Sequence, residues 1–323
     1  DLTSAIEKSR NACRQIEMMF GDDAQWLADV KQRFRNEIDP WFRQSWFMQR
    51  ALAKPRGYPG DYELLSAIYD GVPRSTGFGG YLDLYFLGTE LGRAVPARLY
   101  SLQQFLLDEF SRRQDPLTVL NVACGPLREL AWGLGSDIPQ GSRLVCIDAD
   151  RDALKFVEND VASRGTPPLE VACEYYNAMR MSNATVNVRK FGRADIIYSV
   201  GLCDYIPDRH LIAMLKGWRE SVTTDGVVYV AFKDSRAYDA VEYQWHVDWN
   251  FFQRTELDCW QLFKQAGYDM EGMEMSRDTT GIIMNFAAHL NPATIHRVDA
   301  PATAQSASPA GRRTERNSPQ PQG

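Results

Sequence analysis

The segment 119–129, with the sequence VLNVACGPLRE, constrains the fold of this chain most strongly. A short run of β-branched and apolar residues leads into a turn of small residues that contains Gly125. A segment compatible with a helix begins directly after that turn. This order predicts a buried strand, a tight turn and a helix, which is the repeating unit of Rossmann-like sheets.

A second apolar run, residues 143–150 with the sequence RLVCIDAD, carries Asp148 at the end of its predicted strand. It follows the first run by about 20 residues, the spacing at which a Rossmann-like site places the acid that binds ribose hydroxyl groups. The turn at Gly125 lacks the G-x-G-x-x-G pattern that binds a pyrophosphate. Each signal alone is also typical of an ordinary turn in an α/β protein, but the pair favours a ligand with a nucleoside and no diphosphate. S-adenosylmethionine (SAM) fits this description.

The overall composition favours a globular protein that acts on a small molecule. Apolar residues make up 44% of the 323 residues, which is enough for a sizeable core. The net charge is −6, and this balance disfavours a nucleic-acid binder, because phosphate binding depends on clustered Lys and Arg. We therefore expect a small-molecule substrate and no nucleic acid, and no feature indicates an oligomeric state.

The six cysteines are scattered without a C-x-x-C pair, and several fall in predicted strands. This pattern indicates small core residues in a reducing cytoplasm, with neither disulfides nor a zinc site. The four histidines have no metal-ligand spacing. No apolar run reaches the roughly 18 residues that a membrane span needs, and the first residues are polar, unlike a signal peptide. We expect a cytoplasmic protein with no metal and no membrane span.

Residues 1–116 are predicted to form a helical N-terminal cap. Apolar residues at helical spacing predict a first helix that begins with a capping box of Ser4 and Glu7 and stops at Gly21. A second helix is expected to end at Pro40. The aromatic residues that follow are expected in the core, because aromatic stripes usually fill space: Trp41, Phe42, Trp46 and Phe47.

The segment 54–62, with the sequence KPRGYPGDY, differs from its helical surroundings. Its two prolines and two glycines exclude a helix or a central strand. A solvated connector is one interpretation, but tyrosines between rigid and flexible residues are unusual in a simple linker. We expect Asp61 to cap the next helix and the loop to cover the ligand pocket as a lid.

Residues 117–290 alternate between strand and helix patterns, which implies a parallel sheet with its ligand at the carboxyl ends of the strands. The predicted strands are 117–122, 143–148, 169–174, 194–199 and 226–232, and the predicted helices between them are 127–134, 151–164, 181–190 and 208–220. A helix at 255–266, capped by Thr255, and a hairpin of 268–275 with 281–288 complete this domain. Residues 291–323 are rich in Ala, Pro, Ser, Gln and Arg, and we expect a disordered tail.

Four stretches together resemble one protein family: KPRGYPGDYELLSAIYDG, VLNVACGPLRE, CIDAD and ADIIYSVGLCDYIPDR. They resemble bacterial proteins for the biosynthesis of extracellular factor, the methyl ester of 3-hydroxypalmitic acid, and their short relatives, the azetidine-2-carboxylic acid synthases. The resemblance covers residues 40–290. It implies a Rossmann-like class I methyltransferase fold, an α/β architecture with a mostly parallel seven-stranded sheet, a C-terminal antiparallel hairpin and a helical N-terminal cap. It also implies SAM as the ligand.

The resemblance assigns several residues to SAM. They are Ala123, Cys124 and Gly125 under the methionine part, Asp148 and Ala149 at the ribose, Asn177, Ala178 and Met179 around the adenine, and the segment from Ser199 to Tyr205 facing the sulfonium. The broader methyltransferase pattern has an acid where this chain has Asn121. The resemblance therefore leaves open which group holds the SAM amine.

Two displacement reactions are available at the SAM sulfonium. Attack of an external nucleophile on the methyl group leaves S-adenosylhomocysteine, whereas attack of the SAM amine on its own γ-carbon gives azetidine-2-carboxylic acid and methylthioadenosine. A protein accelerates either reaction mostly by positioning. Aromatic faces stabilise the cation, and the candidates are Tyr58, Tyr62, Tyr175, Tyr176 and Tyr205. Alternation along the third strand predicts that only one of Tyr175 and Tyr176 faces the ligand.

Asp204 is the acid expected closest to the reacting centre, with Tyr58, Tyr176 and Tyr205 as its catalytic companions. It is also placed to cap the helix after the fourth strand. A carboxylate here would orient an amine and accept its proton, which favours cyclisation of SAM. The alternatives are methyl transfer to a small acceptor, such as the carboxylate of a hydroxy fatty acid, and SAM binding without turnover.

Overall fold

The computed structural model describes residues 2–130, 138–163 and 169–294. The helices are α1 (Leu2–Phe20), α2 (Ala24–Phe42), α3 (Trp46–Ala53), α4 (Tyr62–Asp70), α5 (Gly77–Gly88), α6 (Glu90–Ser111), α7 (Arg151–Ser163), α8 (Ala184–Phe191), α9 (Asp208–Ser221), α10 (Ala240–His246) and α11 (Glu256–Gln265). The strands are β1 (Thr118–Val122), β2 (Arg143–Asp148), β3 (Glu170–Tyr175), β4 (Ala194–Val200), β5 (Val222–Lys233), β6 (Met273–Arg277) and β7 (Ile283–His289).

The seven strands form one sheet in the order β3-β2-β1-β4-β5-β7-β6. The first five strands pair in parallel, and β7 runs antiparallel between β5 and β6. The strand order reverses between β1 and β4, and a crevice opens beyond the carboxyl ends of the strands at such a point. The predicted seven-stranded, mostly parallel sheet with a terminal antiparallel hairpin is confirmed.

The central strands consist of apolar residues because helices cover both faces of the sheet. One core lies under α9 and α11 and includes Trp218 and Phe263. A second core lies under α6 and α7 and includes Leu106 and Val157. Each helix therefore buries its apolar stripe against the sheet, which fixes where the loops at the strand ends can lie.

A third core joins the N-terminal helices to the C-terminal half of the chain. Phe47, Leu64 and Leu82 from α3, α4 and α5 pack in one cluster with Tyr243 and Ile283. The N-terminal residues thus share buried apolar surface with residues beyond 116. The division of the chain at residue 116 stays a prediction.

The N-terminal region differs from the sequence predictions in three places. α1 begins at Leu2, so that Ser4 and Glu7 lie inside the helix and do not form its cap. α2 continues through Pro40 to Phe42, because a proline in the last turn costs only one helical hydrogen bond and Arg43 N–H closes the turn on the carbonyl of Asp39. Trp41 is 60% exposed, whereas Phe47 is fully buried.

Element boundaries also differ in the sheet domain. The predicted helix 127–134 is a short 3₁₀ turn, Arg128–Leu130, followed by residues outside the described ranges. The predicted helix 181–190 is divided into a 3₁₀ turn, Ala178–Ser182, and α8, because Asn183 caps α8 at Val186 N–H. α10 was not predicted. The proposed tail, 291–323, lies outside the described residues from 295 onward.

Candidate functional site

A cavity of about 680 Å³ opens at the carboxyl ends of the parallel strands, where the change in strand order predicts a ligand. Its volume lies within the range of about 300–1,000 Å³ that is typical of small-molecule sites. The walls come from the turns after β1 to β5, from the loop 54–62 and from helices α4, α5 and α6. The lining is mostly apolar and aromatic, with few charged groups.

Asp148, at the end of β2, is the carboxylate on the floor of this cavity. Its Oδ2 accepts the N–H of Gly125 at 3.0 Å, and its Oδ1 accepts the N–H of Asp150 at 2.9 Å. Burial raises the pKa of Asp148, and these backbone hydrogen bonds act in the opposite direction. The Cys124 thiol also lies 4.0 Å from Oδ2, so Oδ1, with one hydrogen bond, has the greater remaining capacity to accept a ligand hydroxyl.

The turn after β1 places backbone, and few side-chain atoms, against the cavity. Ala123 has a φ of 59° and Gly125 a φ of 51°, both in the left-handed region, which folds the chain tightly over the end of β2. Cys124 N–H donates to the carbonyl of Ile147 at 3.1 Å. Ala123 and Gly125 line the cavity, but Cys124 points into the core beneath it.

Tyr175 and Tyr176 both line the cavity. The prediction that only one of them faces the site was wrong, because β3 ends at Tyr175 and strand alternation does not extend to Tyr176. The guanidinium of Arg151 lies 3.8 Å from the centre of the Tyr175 ring, and Tyr176 packs edge-on against Phe191. Asn177, Ala178 and Met179 continue the wall, and the Asn177 side chain accepts Met179 N–H at 2.9 Å.

Tyr205 carries the aromatic wall beyond β4. Its hydroxyl accepts the indole N–H of Trp249 at 2.6 Å and donates to the carbonyl of Pro59 at 3.5 Å. Phe251 packs at a centroid distance of 5.2 Å from the Tyr205 ring. The Tyr205 side chain is thus the point at which three separate parts of the chain meet: 57–60, 201–205 and 249–251.

Asp204 does not line the cavity, contrary to the sequence prediction. Its Oδ2 pairs with Lys233 Nζ at 2.5 Å, both residues are buried, and its Oδ1 accepts Lys233 N–H at 3.3 Å. The Lys233 side chain does line the cavity, with its Nζ 4.0 Å from the centre of the Phe251 ring. Burial lowers the pKa of Lys233, and the charge of Asp204 raises it. In this geometry Asp204 acts on the site through Lys233.

Ser199 is also absent from the cavity wall. It is fully buried, and its hydroxyl donates to the carbonyl of Val122 at 2.9 Å. The side chain therefore links β4 to β1, and the residues that line the cavity here are Val200 at the end of β4 and Gly201 and Leu202 after it. The predicted site residues that line the cavity are Tyr58, Tyr176, Tyr205, Ala123, Gly125, Asp148, Ala149, Asn177, Ala178 and Met179.

The loop 54–62 crosses the cavity and is anchored on both sides. Arg56 pairs with Asp152 at the start of α7 and lies 3.6 Å from Asp150, while Lys54 Nζ pairs with Asp248 at 2.5 Å on the opposite wall. Asp61 caps α4 as expected, with its Oδ1 accepting Leu64 N–H at 2.9 Å. Tyr58 and Gly60 face the cavity.

Several lining residues escaped the sequence prediction. They come from α6, from the end of β5, from α10 and from the irregular segment before α11: Leu91, Gly92, Val95, Arg98, Lys233, Tyr243, Trp249 and Phe251. Lys233 ends an apolar strand at the same sheet edge as Asp148, and this position could have identified it. Arg98 interrupts the apolar stripe of α6, which is the second signal in the sequence.

Two further findings concern the described residues only. Within 2–130, 138–163 and 169–294, no group of three or more His, Cys, Asp or Glu side chains is arranged to hold a metal ion. In those same ranges no helix has both the length and the hydropathy of a bilayer span. The cytoplasmic location expected from the sequence stays a prediction.

The strand order identifies the Rossmann-like class I methyltransferase fold. No protein-family model and no curated protein match the chain. A solved structure from Bordetella parapertussis, named a possible exported protein, aligns over 79% of this chain and 96% of its own, with 17% identity and a TM-score of 0.57. This level of identity supports a shared fold and nothing more.

Two other solved structures align more weakly. The magnesium protoporphyrin IX methyltransferase of Synechocystis, with bound SAM, is 11% identical, with a TM-score of 0.45, and covers 62% of this chain and 82% of its own. A SAM-dependent methyltransferase from Leishmania major is 11% identical, with a TM-score of 0.44, over 71% of this chain and 82% of its own.

Proposed function

We propose that this protein binds SAM in the cavity and consumes it by displacement at the sulfonium. The observation that carries the proposal is the position of Asp148, a buried carboxylate at the end of β2 with free acceptor capacity toward the cavity. The adjacent wall of Asn177 and Met179 suits a flat base, and Tyr58, Tyr176 and Tyr205 offer aromatic faces for a cation. Isothermal calorimetry with SAM tests the proposal, and absence of binding to the folded protein would refute it.

For the reaction, the geometry favours methyl transfer to an acceptor with a long apolar part. On the side of α4, α5 and α6, the cavity wall has an apolar section lined by Leu65, Ile68, Phe86, Leu91 and Val95. Intramolecular cyclisation does not require such a section, because SAM is its only substrate. Burial of a long acyl chain in this section would contribute about 0.8 kcal/mol per methylene group.

Lys233 suits a carboxylate at the end of that acceptor. Its ammonium reaches the cavity and is held by Asp204. A carboxylate oxygen of the acceptor would attack the SAM methyl carbon, the bond from that carbon to sulfur would break, and the electron pair would stay on sulfur. The products are a methyl ester and neutral S-adenosylhomocysteine, and no proton moves. A hydroxy fatty acid, the acceptor of the family that the sequence resembles, meets both requirements.

Cyclisation remains the second candidate, and the aromatic wall favours it. Tyr58, Tyr176, Tyr205 and Trp249 line one cavity, where rings could hold the sulfonium chain bent. Asp204 is less suited to accept a proton than the sequence indicated, because its carboxylate is paired with Lys233. Pure binding without turnover has no specific observation in its favour.

Incubation of the protein with SAM alone separates these reactions. Methylthioadenosine formed without an acceptor would establish cyclisation. We expect S-adenosylhomocysteine to form only when a 3-hydroxy fatty acid is added. The variant Val95→Phe narrows the apolar section and should lower the rate with the fatty acid while SAM affinity is retained.

A further inference from the structure

Arg98 is the unusual charged residue of the cavity. It lies on α6, is only 4% exposed and lines the cavity wall. Its Nε is buried without a hydrogen-bond partner, and among the described residues no carboxylate forms an ion pair with it. The buried acid Glu129 is close enough for its charge and that of Arg98 to interact, but it is not in ion-pair contact. A guanidinium buried without a contacting anion is costly, which indicates that a ligand supplies one.

The chain makes room for Arg98 next to the reacting end of the site. Gly201, directly after β4, has a φ of 108°, and a Cβ at this position would lie 3.0 Å from Nη2 of Arg98. The guanidinium therefore rests against the backbone of the turn that was predicted to face the sulfonium. Ala123 and Gly125, the turn after β1, line the same cavity.

Glu129 is a buried acid behind that turn. Its Oε1 accepts Asn121 Nδ2 at 2.7 Å and the hydroxyl of Tyr198 at 2.8 Å. Burial raises the pKa of Glu129, while the hydrogen bonds and the charge of Arg98 act in the opposite direction. Asn121 lies near the end of β1, so its hydrogen bond holds the Glu129 carboxylate close to the turn that follows this strand.

A small cavity of about 30 Å³ lies between Glu129 and residues that also line the ligand site. Asn121, Glu129 and Tyr198 line it, and it shares Ala123, Gly125 and Val200 with the large cavity. The space is partly polar and is large enough for one or two water molecules, because a single water needs about 10–15 Å³. A carboxylate and a guanidinium thus flank one end of the ligand site on either side of the β1 and β4 turns.

From this arrangement we infer that Arg98 and Glu129 hold the amino-acid end of SAM, Arg98 by its α-carboxylate and Glu129 by its α-ammonium, directly or through water. The inference rests on the proposed SAM binding and adds the residues that recognise the zwitterion. A guanidinium presents paired donors that match a carboxylate, and it cannot lose its charge. The alternative partner for Arg98 is the carboxylate of an acceptor substrate, and the experiment distinguishes the two carboxylates.

The test measures the affinities of SAM, decarboxylated SAM and methylthioadenosine for the intact protein by calorimetry. Arg98→Gln should weaken SAM binding about 10- to 100-fold, because the charge-assisted hydrogen bonds to the α-carboxylate are lost. The affinities for decarboxylated SAM and methylthioadenosine should stay unchanged. Glu129→Gln keeps an oxygen for Asn121 and Tyr198 and should weaken SAM and decarboxylated SAM, but not methylthioadenosine. Arg35→Gln and Glu109→Gln remove equally buried charges that do not line either cavity, and they should change none of the three affinities.

The ligand series also separates this inference from the proposed function. If the wild-type protein bound none of the three ligands, the nucleoside site itself would be refuted. If it bound all three and Arg98→Gln weakened them equally, Arg98 would be a structural residue and the inference would be wrong. Retained SAM affinity in Arg98→Gln, with weaker binding of a 3-hydroxy fatty acid in the presence of S-adenosylhomocysteine, would assign the guanidinium to the acceptor and also overturn the inference.

Discussion

At the scale of single residues, the site depends on charges that are buried and directed by their neighbours. Asp148 is aligned by two backbone N–H groups, and Lys233 is held by Asp204. Asp148 could be predicted as a site residue from its position in the sequence, because an acid at the end of the second strand is a local signal. The pairing of Asp204 with Lys233 could not be predicted, because the two residues are 29 positions apart and meet only when β4 and β5 lie side by side.

Asp148→Ala should weaken SAM binding by about 1–3 kcal/mol, because the ribose hydroxyls lose charge-assisted hydrogen bonds. Burial raises the pKa of Asp148, so the carboxylate is protonated at a higher pH than an ordinary Asp. A protonated carboxyl accepts fewer hydrogen bonds, and SAM affinity should therefore fall on acidification through that raised pKa. Calorimetry across pH, with Asp148→Asn as a variant that cannot titrate, measures both effects. Unchanged SAM affinity in a folded Asp148→Ala protein would remove this residue from the site.

Asp204→Asn should lower the free energy of unfolding by about 3–5 kcal/mol, because it leaves the Lys233 charge buried without a partner. Adding Lys233→Met removes that charge, and the double variant should regain most of the loss. Urea denaturation followed by tryptophan fluorescence measures all three proteins. An Asp204→Asn protein with wild-type stability and a turnover slower by about 10²–10⁴-fold would contradict this prediction. Such a loss of rate is the signature of a lost acid or base.

At the scale of elements, the loop 54–62 lines the cavity and forms ion pairs with residues of α7 and of the segment after α10. Its composition predicted a shaped loop above the pocket, and that role stays a prediction. Contacts of Gly60 with Trp249 were not predictable, since the segment 247–254 has no regular pattern. The same lack of pattern concealed Trp249 and Phe251 as lining residues. β2, in contrast, is an uninterrupted apolar run and begins and ends at the predicted residues.

Gly60→Ala tests whether the loop seals the site. A Cβ there would lie 2.7 Å from the Trp249 ring, at a φ of 75° that side chains rarely adopt, so the loop must move away from the indole. We expect SAM binding to weaken by about 1–3 kcal/mol. Gly57→Ala is the matched control, because it has a φ of 84° and no atom within 4 Å of the added Cβ. An equal loss in both variants would attribute the effect to backbone strain and contradict a role for the Trp249 contact.

At the scale of the whole molecule, the N-terminal helices and the C-terminal half of the chain share one buried apolar core. The alternation of strands and helices was sufficient to predict the sheet. The shared core was not predictable, because the partners of Phe47 and Leu64 lie more than 150 residues further along the chain, at positions such as Tyr243 and Ile283. Amphipathic patterns show which face of a helix is buried, but they do not show which element covers it.

A truncated protein that begins at Leu117 should fail to fold stably, because Tyr238, Tyr243 and Trp249 would lose the apolar residues that cover them. Circular dichroism and size-exclusion chromatography detect this as lost cooperativity of unfolding and as aggregation. Removal of residues 295–323 provides the control and should leave the unfolding curve unchanged. A stable, monomeric truncated protein that turned over SAM at the full rate would contradict both the shared core and the lid.

The ion pairs that anchor the loop 54–62 should affect the rate at which product leaves the cavity. Arg56 with Asp152 and Lys54 with Asp248 connect the loop to opposite walls, and all four side chains are partly exposed. Dissolved salt screens exposed pairs, whereas the buried charges around the ligand are screened much less. Higher ionic strength should therefore accelerate the escape of spent nucleoside, measured by stopped-flow fluorescence. The rate of product release would then depend on the salt concentration of the solution.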